Sequence, residues 1–235
     1  MRRAGPPCAI AQTVPHGLPS LDAVLRTRPV GRRRRRAIDG IGRGMGLFTL
    51  EHSRAAYLAD FALYGSAVVI LAGLLGWQGP PQQQAQLALV TLAGLVSWSG
   101  IEYALHRFVL HGIEPFRRWH AEHHRRPTAL ICAPTVLSGT LIGALVCLPA
   151  WALGGPWFAC ALTLGVLAGY LGYAVTHHAM HHWRASGAWL QRRKRWHARH
   201  HHDAEPGCYG VTSGFWDRCC GTGDDRPPAR HLRPR

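Results

Sequence analysis

From Thr128 to His178 the chain runs for 51 residues without one Asp, Glu, Lys or Arg. A soluble fold seldom needs so much continuous apolar chain, whereas crossing ~30 Å of hydrocarbon takes ~20 apolar residues per helix. Gly154-Gly155-Pro156 interrupts the stretch. Glycine tolerates backbone angles closed to other residues and proline cannot continue a helix, so these three residues predict a turn. The stretch then reads as two apolar segments, one ending near Leu153 and one from Trp157 to Thr176. Two more precede it: Phe61 to Trp77, with Asp60 near the membrane surface, and Ala85 to Ile101, continuing through Leu105. Those first two are short by strict count, which leaves tilt or a partial crossing open. The expected fold is all-α, an integral membrane core of four helices.

Charge orients these segments. Mean hydropathy is −0.05, an average that conceals very apolar blocks alternating with very basic ones. Only 17% of residues are charged, yet the net charge is +15. The connections 78–84 and 154–156 carry no charge, while every other connection is rich in arginine. Four crossings put all the basic connections, and both termini, on one side, which the positive-inside rule makes cytoplasmic. Arg107, Arg117, Arg118 and Arg126 are candidates to meet anionic lipid headgroups, a simpler account of the basic patches than nucleic acid. Residues 1–45 read as a basic, disordered tail containing the run Arg32 to Arg36, and prolines exclude a cleavable signal peptide there. A membrane domain over 46–222 and a flexible tail over 223–235 complete the division. The seven cysteines show no CxxC spacing, and those in apolar stretches are expected to pack as small hydrophobes.

Of 16 histidines, 13 fall between His106 and His202. They form four groups: His106 and His111; His120, His123 and His124; His177, His181 and His182; and His197, His200 and His201. Residues three and four apart share a helix face, so each of the last three groups can aim imidazoles into one volume. His106 and His111 are five apart, about 140° round an ideal helix. They meet one site most easily if the helix ends there, and Gly112 and Pro115 supply a break. A single metal takes about four to six ligands, so eleven histidines suit two metals. An all-imidazole set favours Fe, Zn, Co, Ni or Cu over Ca or Mg. Short groups at helical spacing also differ from the contiguous runs of a metal-storage tract. A metal transporter or scaffold would predict ionisable residues inside the spans, and the third and fourth segments have none.

Glu102, Glu122 and Asp203 lie close in sequence to these groups and either accept the second imidazole N–H or pair with nearby arginines. His178 and His202 are additional histidines, and His16, His52 and His231 stand alone. Trp98, Trp119, Trp183, Trp189 and Trp196 are expected to form an interfacial belt.

The runs EYALHRFVLH (102–111), WHAEHH (119–124), GYAVTHHAMHH (172–182), WHARHH (196–201) and GVTSGFWD (210–217), with Gly221-Thr222, resemble the fatty acid hydroxylase/sterol desaturase superfamily. The fatty acid 2-hydroxylase branch is the most similar, over about residues 50–222. The resemblance implies a four-helix membrane core under a cytosolic, histidine-rich helical cap. It implies that His106, His111, His120, His123, His124, His177, His181, His182, His197, His200 and His201 hold two iron ions. Zinc can replace iron in a purified sample. O2 is the implied co-substrate and a membrane lipid the implied substrate, with fatty acyl or sphingolipid 2-hydroxylation first. Hydroxylation or desaturation of another apolar lipid, such as a sterol, carotenoid or alkyl chain, comes second. Relatives in eukaryotes carry a cytochrome b5 domain for which the first 50 residues show no haem-binding pattern, so electrons are expected from a separate redox protein. His178 stands where that branch commonly has tyrosine.

Overall fold

The computed structural model describes residues 51–202 and 207–223. The tail expected over 1–45, Asp203, and the C-terminal tail beyond Gly223 lie outside the described residues. Among the described residues the structure is helical, with no strand and one isolated bridge between Glu51 and Ile131. Helix α1 covers Arg54–Gln78. Helix α2, Gln84–Ala104, is prolonged by a π-helical turn, Leu105–Leu110. Helix α3, Phe116–Arg125, is short and polar. Helix α4, Thr135–Ile142, runs through a second π turn, Gly143–Cys147, into α5, Leu148–His182. Helix α6, Ala188–His202, and the single-turn α7, Phe215–Cys219, follow.

Three helical stretches are long and apolar enough to cross a membrane: Arg54–Gln78, Pro81–Leu110 and Thr135–His182. The third has 48 residues, about 72 Å if straight, more than twice the hydrocarbon thickness. It is not straight. Gly155 adopts φ 77° and ψ −174°, and Pro156 follows. On a straight helix Ser138 and Tyr170 would stand about 48 Å apart. Yet Tyr64 touches both, with its hydroxyl 2.7 Å from Ser138 Oγ and its ring centroid 4.9 Å from that of Tyr170. The stretch therefore doubles back at Gly155 as a helical hairpin. Its arms, 135–154 and 156–182, are the two segments that the uncharged stretch and its Gly-Gly-Pro turn predict. Helices α1 and α2 also extend past the apolar segments that mark them, so neither is too short to cross.

The turn between α1 and α2 is held by Gln84, whose Nε2 donates to the carbonyls of Leu75 (3.0 Å) and Gly79 (3.1 Å). Next to this turn Leu75, Leu87, Ala161 and Leu164 form a buried cluster. Farther along, α2 and α5 approach through glycine. A Cβ on Gly165 would lie 2.0 Å from the Thr91 carbonyl oxygen, and one on Gly94 would lie 2.6 Å from that of Leu162. Small residues permit this approach of two backbones, which in lipid replaces the hydrophobic drive of a soluble core. The outward faces stay apolar: Val69 and Leu145 are each 70% exposed, a surface suited to acyl chains and not to water.

Trp98 departs from the belt expected of it. It is buried, 5.4 Å from the Tyr170 ring, over Gly169, where no side chain competes for the space. Trp183 and Trp189 are exposed, as an interfacial position requires.

Candidate metal centre

The π turn explains how His106 and His111 share a site. The helix ends where the sequence indicates, with Leu110 its last residue and His111 its C-cap, and its final turn is π-helical. A π turn hydrogen-bonds residues five apart, and the His111 N–H donates to the His106 carbonyl at 3.2 Å. That wider turn stacks i over i+5 and brings the two ring centroids to 5.3 Å. Gly112 and Pro115 follow that end and lead the chain into α3.

Nine histidines fall into two groups whose ligand atoms lie within 4.8 Å of one another. The first comprises His106, His111, His120, His124 and His200, and the second His123, His181, His197 and His201. The division cuts across the motifs. Each HxxHH helix sends its i and i+4 residues to one group and its i+3 residue to the other. Thus α3 gives His120 and His124 to the first group and His123 to the second, while α6 gives His197 and His201 to the second and His200 to the first. The groups adjoin, with the His124 and His201 rings stacked 4.1 Å apart.

Within each group the Nε2 atoms converge. His120 Nε2 lies 3.0 Å from both His106 Nε2 and His124 Nε2, and His111 Nε2 lies 3.1 Å from His200 Nε2. In the second group His197 Nε2 is 2.8 Å from His181 Nε2 and 3.0 Å from His201 Nε2. A metal–nitrogen distance of about 2.0–2.1 Å sets ligands at right angles about 2.9 Å apart, so this spacing fits a shared ion. Both ring nitrogens of His123 are buried with no hydrogen-bond partner. Buried polar atoms of that kind are rare, and a bound cation would satisfy one of them.

The imidazoles are held neutral, the form that binds metal. Burial first, then neighbouring imidazoles, pushes His123, His124 and His201 down to about 3. His111 falls to about 4 for the same reasons, and His120 and His197 sit well below the ordinary range.

His177 lies beside the second group, its ring 4.8 Å from His123, 4.7 Å from His181 and 5.0 Å from His197. His182 is in neither group. It stacks on His178 at 4.5 Å, and His178 Nδ1 lies 3.1 Å from the Tyr57 hydroxyl. His202 is exposed and outside both groups.

Two carboxylates that touch no histidine fix the first group from behind. Glu102, 3% exposed, accepts from the N–H groups of Val211 (2.6 Å) and Thr212 (3.0 Å) and from the Thr212 hydroxyl (2.6 Å). Asp217 is fully buried and accepts from the N–H groups of Tyr209 (2.8 Å) and Gly210 (2.7 Å) and from the Thr222 hydroxyl (2.8 Å). The segment they pin delivers two backbone carbonyls. Tyr209 O lies 2.5 Å from His106 Nδ1, and Gly207 O lies 2.8 Å from His200 Nδ1. A carbonyl only accepts, so each Nδ1 carries the proton and each Nε2 presents its lone pair to the group. Glu102 thus acts one step further from the imidazoles than its sequence position indicates. Glu122 pairs with Arg125 and Arg126, the other outcome open to it. Asp217, together with Arg193, which is buried beneath the Gly210 carbonyl, escaped sequence reasoning. The one signal for Asp217 is an acid closing the run GVTSGFWD.

The sequence profile of the fatty acid hydroxylase family matches residues 91–222. The chain belongs to the fatty acid hydroxylase family. The matched region holds both histidine groups, Glu102 and Asp217. Among curated relatives, the Arabidopsis thaliana dihydroceramide fatty acyl 2-hydroxylase FAH2 is 32% identical over 152 residues, covering 58% of this chain and 61% of the relative. The dihydroceramide fatty acyl 2-hydroxylase FAH1 of the same organism is 34% identical over 136 residues, covering 52% and 54%. The Homo sapiens fatty acid 2-hydroxylase is 30% identical over 150 residues, covering 57% and 38%. The chain therefore spans 61% or less of the length of these relatives. The solved structure of full-length scs7p, in which only the hydroxylase domain is visible, superposes with a TM-score of 0.61 at 25% identity, covering 73% of this chain and 69% of that one.

In this member of the hydroxylase family the histidine groups open onto a cavity. His120, His123 and His177 form one part of its wall, and Tyr57, Phe61 and Leu137 stand among the aromatic and aliphatic side chains of the rest. Trp119 lines it too, so this tryptophan serves the cavity as well as the surface.

Proposed function

We propose that this protein is a membrane-bound di-iron monooxygenase that hydroxylates a lipid acyl chain at the carbon next to its carbonyl. One observation carries the reading: two adjoining all-imidazole groups face a mainly apolar cavity at the end of apolar helices. The relatives named for dihydroceramide fatty acyl and fatty acid 2-hydroxylation support the substrate class. His106, His111, His120, His124 and His200 would hold one ion. His123, His181, His197 and His201 would hold the other, with His177 as the fifth ligand that makes the two sets equivalent. His182 then acts from outside, through His178 and Tyr57.

When bound, two iron ions supply the O2 activation and single-electron chemistry that side chains lack. The balance requires external electrons: lipid C–H, O2, two electrons and two protons give lipid C–OH and water. The chain's own contribution is placement. Neutral imidazoles present Nε2, the Tyr209 and Gly207 carbonyls stop two of the rings from turning, and the aromatic cavity excludes water from an acyl chain. Four crossings, counting both arms of the hairpin, put the histidines and both termini on the arginine-rich, cytosolic side. A separate redox protein reaches the centre there, and a lipid enters sideways with its tail still in hydrocarbon. Selectivity for the carbon next to the carbonyl follows from that depth.

The test is lipid analysis of cells with and without the gene under 18O2, with His201→Ala as control. The expected result is a 2-hydroxylated acyl lipid carrying one labelled oxygen that is absent with the variant. Unlabelled product, or no new hydroxylated lipid, overturns the reading.

A further inference from the structure

A third set of ligands lies outside both histidine groups. His52 precedes α1, Asp60 sits in its second turn, and Cys132 belongs to the connection between α3 and α4. One ligand atom from each lies within 4.8 Å of the others, and all three residues are partly buried. Cys132 Sγ is 3.2 Å from His52 Nδ1 and 3.7 Å from Asp60 Oδ2. Cys132 is 80 positions from His52 and 72 from Asp60 in sequence, so only the fold brings it to them.

We propose that His52, Asp60 and Cys132 form a structural site for one divalent cation of the zinc class, separate from the two ions of the hydroxylation centre. Tetrahedral zinc, with about 2.3 Å to sulfur and about 2.0–2.2 Å to nitrogen or oxygen, places its ligand atoms about 3.5 Å apart. The two sulfur distances bracket that value. The donor set also balances charge. Binding releases the Cys132 proton, and thiolate plus carboxylate then cancel the charge of a divalent ion, which a partly buried position favours. Thiolate, imidazole and carboxylate together select zinc over calcium or magnesium.

The surroundings are already arranged to hold the three in place. The His52 N–H donates to the Leu130 carbonyl at 2.9 Å, Glu51 bridges to Ile131, and Arg126 Nη1 meets Glu51 at 2.7 Å. The Thr135 hydroxyl donates to Asp60 Oδ1, leaving Oδ2 toward Cys132. Asp60 and Cys132 also line the cavity that reaches His120 and His123. An ion here would clamp the α3–α4 connection to α1 and fix one wall of that cavity. It would do so whichever lipid the cavity receives.

Full-length protein in detergent, stripped of metal and reloaded with Co2+, tests this directly. Thiolate-bound Co2+ gives an intense near-ultraviolet charge-transfer band that imidazole-only sites do not give. The expected result is such a band with three Co2+ per chain, lost in Cys132→Ser together with one ion. In Asp60→Asn, which keeps the side-chain volume, one ion should likewise become removable by dialysis. His201→Ala should lose a different ion and keep the band, which separates this site from the hydroxylation centre. Absence of the band in the unaltered chain, or its survival in Cys132→Ser, overturns the proposal and leaves His52, Asp60 and Cys132 as a hydrogen-bonded junction.

Discussion

Replacing Glu102 with alanine should release metal from the first histidine group although Glu102 touches no histidine. Its carboxylate accepts three hydrogen bonds, from the Val211 and Thr212 N–H groups and the Thr212 hydroxyl. Val211 is 1% exposed, so water cannot replace the lost acceptor at its N–H. Each buried donor left without a partner costs about 1–3 kcal/mol, and Thr212, being less buried, recovers some of this from water. Together the loss comes to roughly 3–6 kcal/mol, enough to detach the segment from α2. Two residues away, the Tyr209 carbonyl then no longer holds His106 Nδ1, and losing such a partner lowers metal affinity about 10- to 100-fold. Glu102→Gln retains an oxygen for both N–H groups and can donate to the Thr212 hydroxyl, so it should cost only about 1–2 kcal/mol and keep its metal. Thermal unfolding and metal analysis after dialysis read both effects. Unchanged unfolding and full metal retention in Glu102→Ala would refute the reasoning.

Other perturbations reach the same account from different sides. Asp217→Asn turns an acceptor into a donor facing an N–H of Tyr209 or Gly210. It should destabilise by about 2–4 kcal/mol in thermal unfolding and lower metal affinity in the first group, with His200 affected through Gly207. Gly165→Ala puts a methyl 2.0 Å from the Thr91 carbonyl oxygen, whereas Gly172→Ala meets nothing within 4 Å. The first should unfold at a clearly lower temperature in detergent, and the second should match or slightly exceed the unaltered chain. His123→Ala and His120→Ala, three residues apart on one helix, should each remove a different ion. Spectroscopy of singly loaded protein should show opposite groups vacated.

Much of this fold is legible in the chain because its signals are local. An uncharged stretch must be hidden from water or placed in lipid, and Gly154-Gly155-Pro156 marks a turn that the positive φ of Gly155 bears out. Imidazoles at helical spacing identify the faces that converge. The partition between groups is less legible, because a face spans both i+3 and i+4 while two adjacent centres divide it. The helix end at His106 and His111 is legible from Gly112 and Pro115, but nothing local announces the π turn that closes it. Glu102 sits next to the first histidine group in sequence but spends its oxygens on a segment 109 residues away. Trp98 reads as interfacial by type, and Gly169 on α5 is what draws it inward. Cys132 and His52 look inert because their meeting depends on how two distant connections pair.

Anomalous diffraction from metal-loaded crystals, collected at the absorption edge of the bound metal, tests the central claim most directly. The account predicts one peak enclosed by His106, His111, His120, His124 and His200, and a second enclosed by His123, His181, His197 and His201, with His177 facing the latter. A single peak shared by all of these residues, or density at neither position, would contradict it.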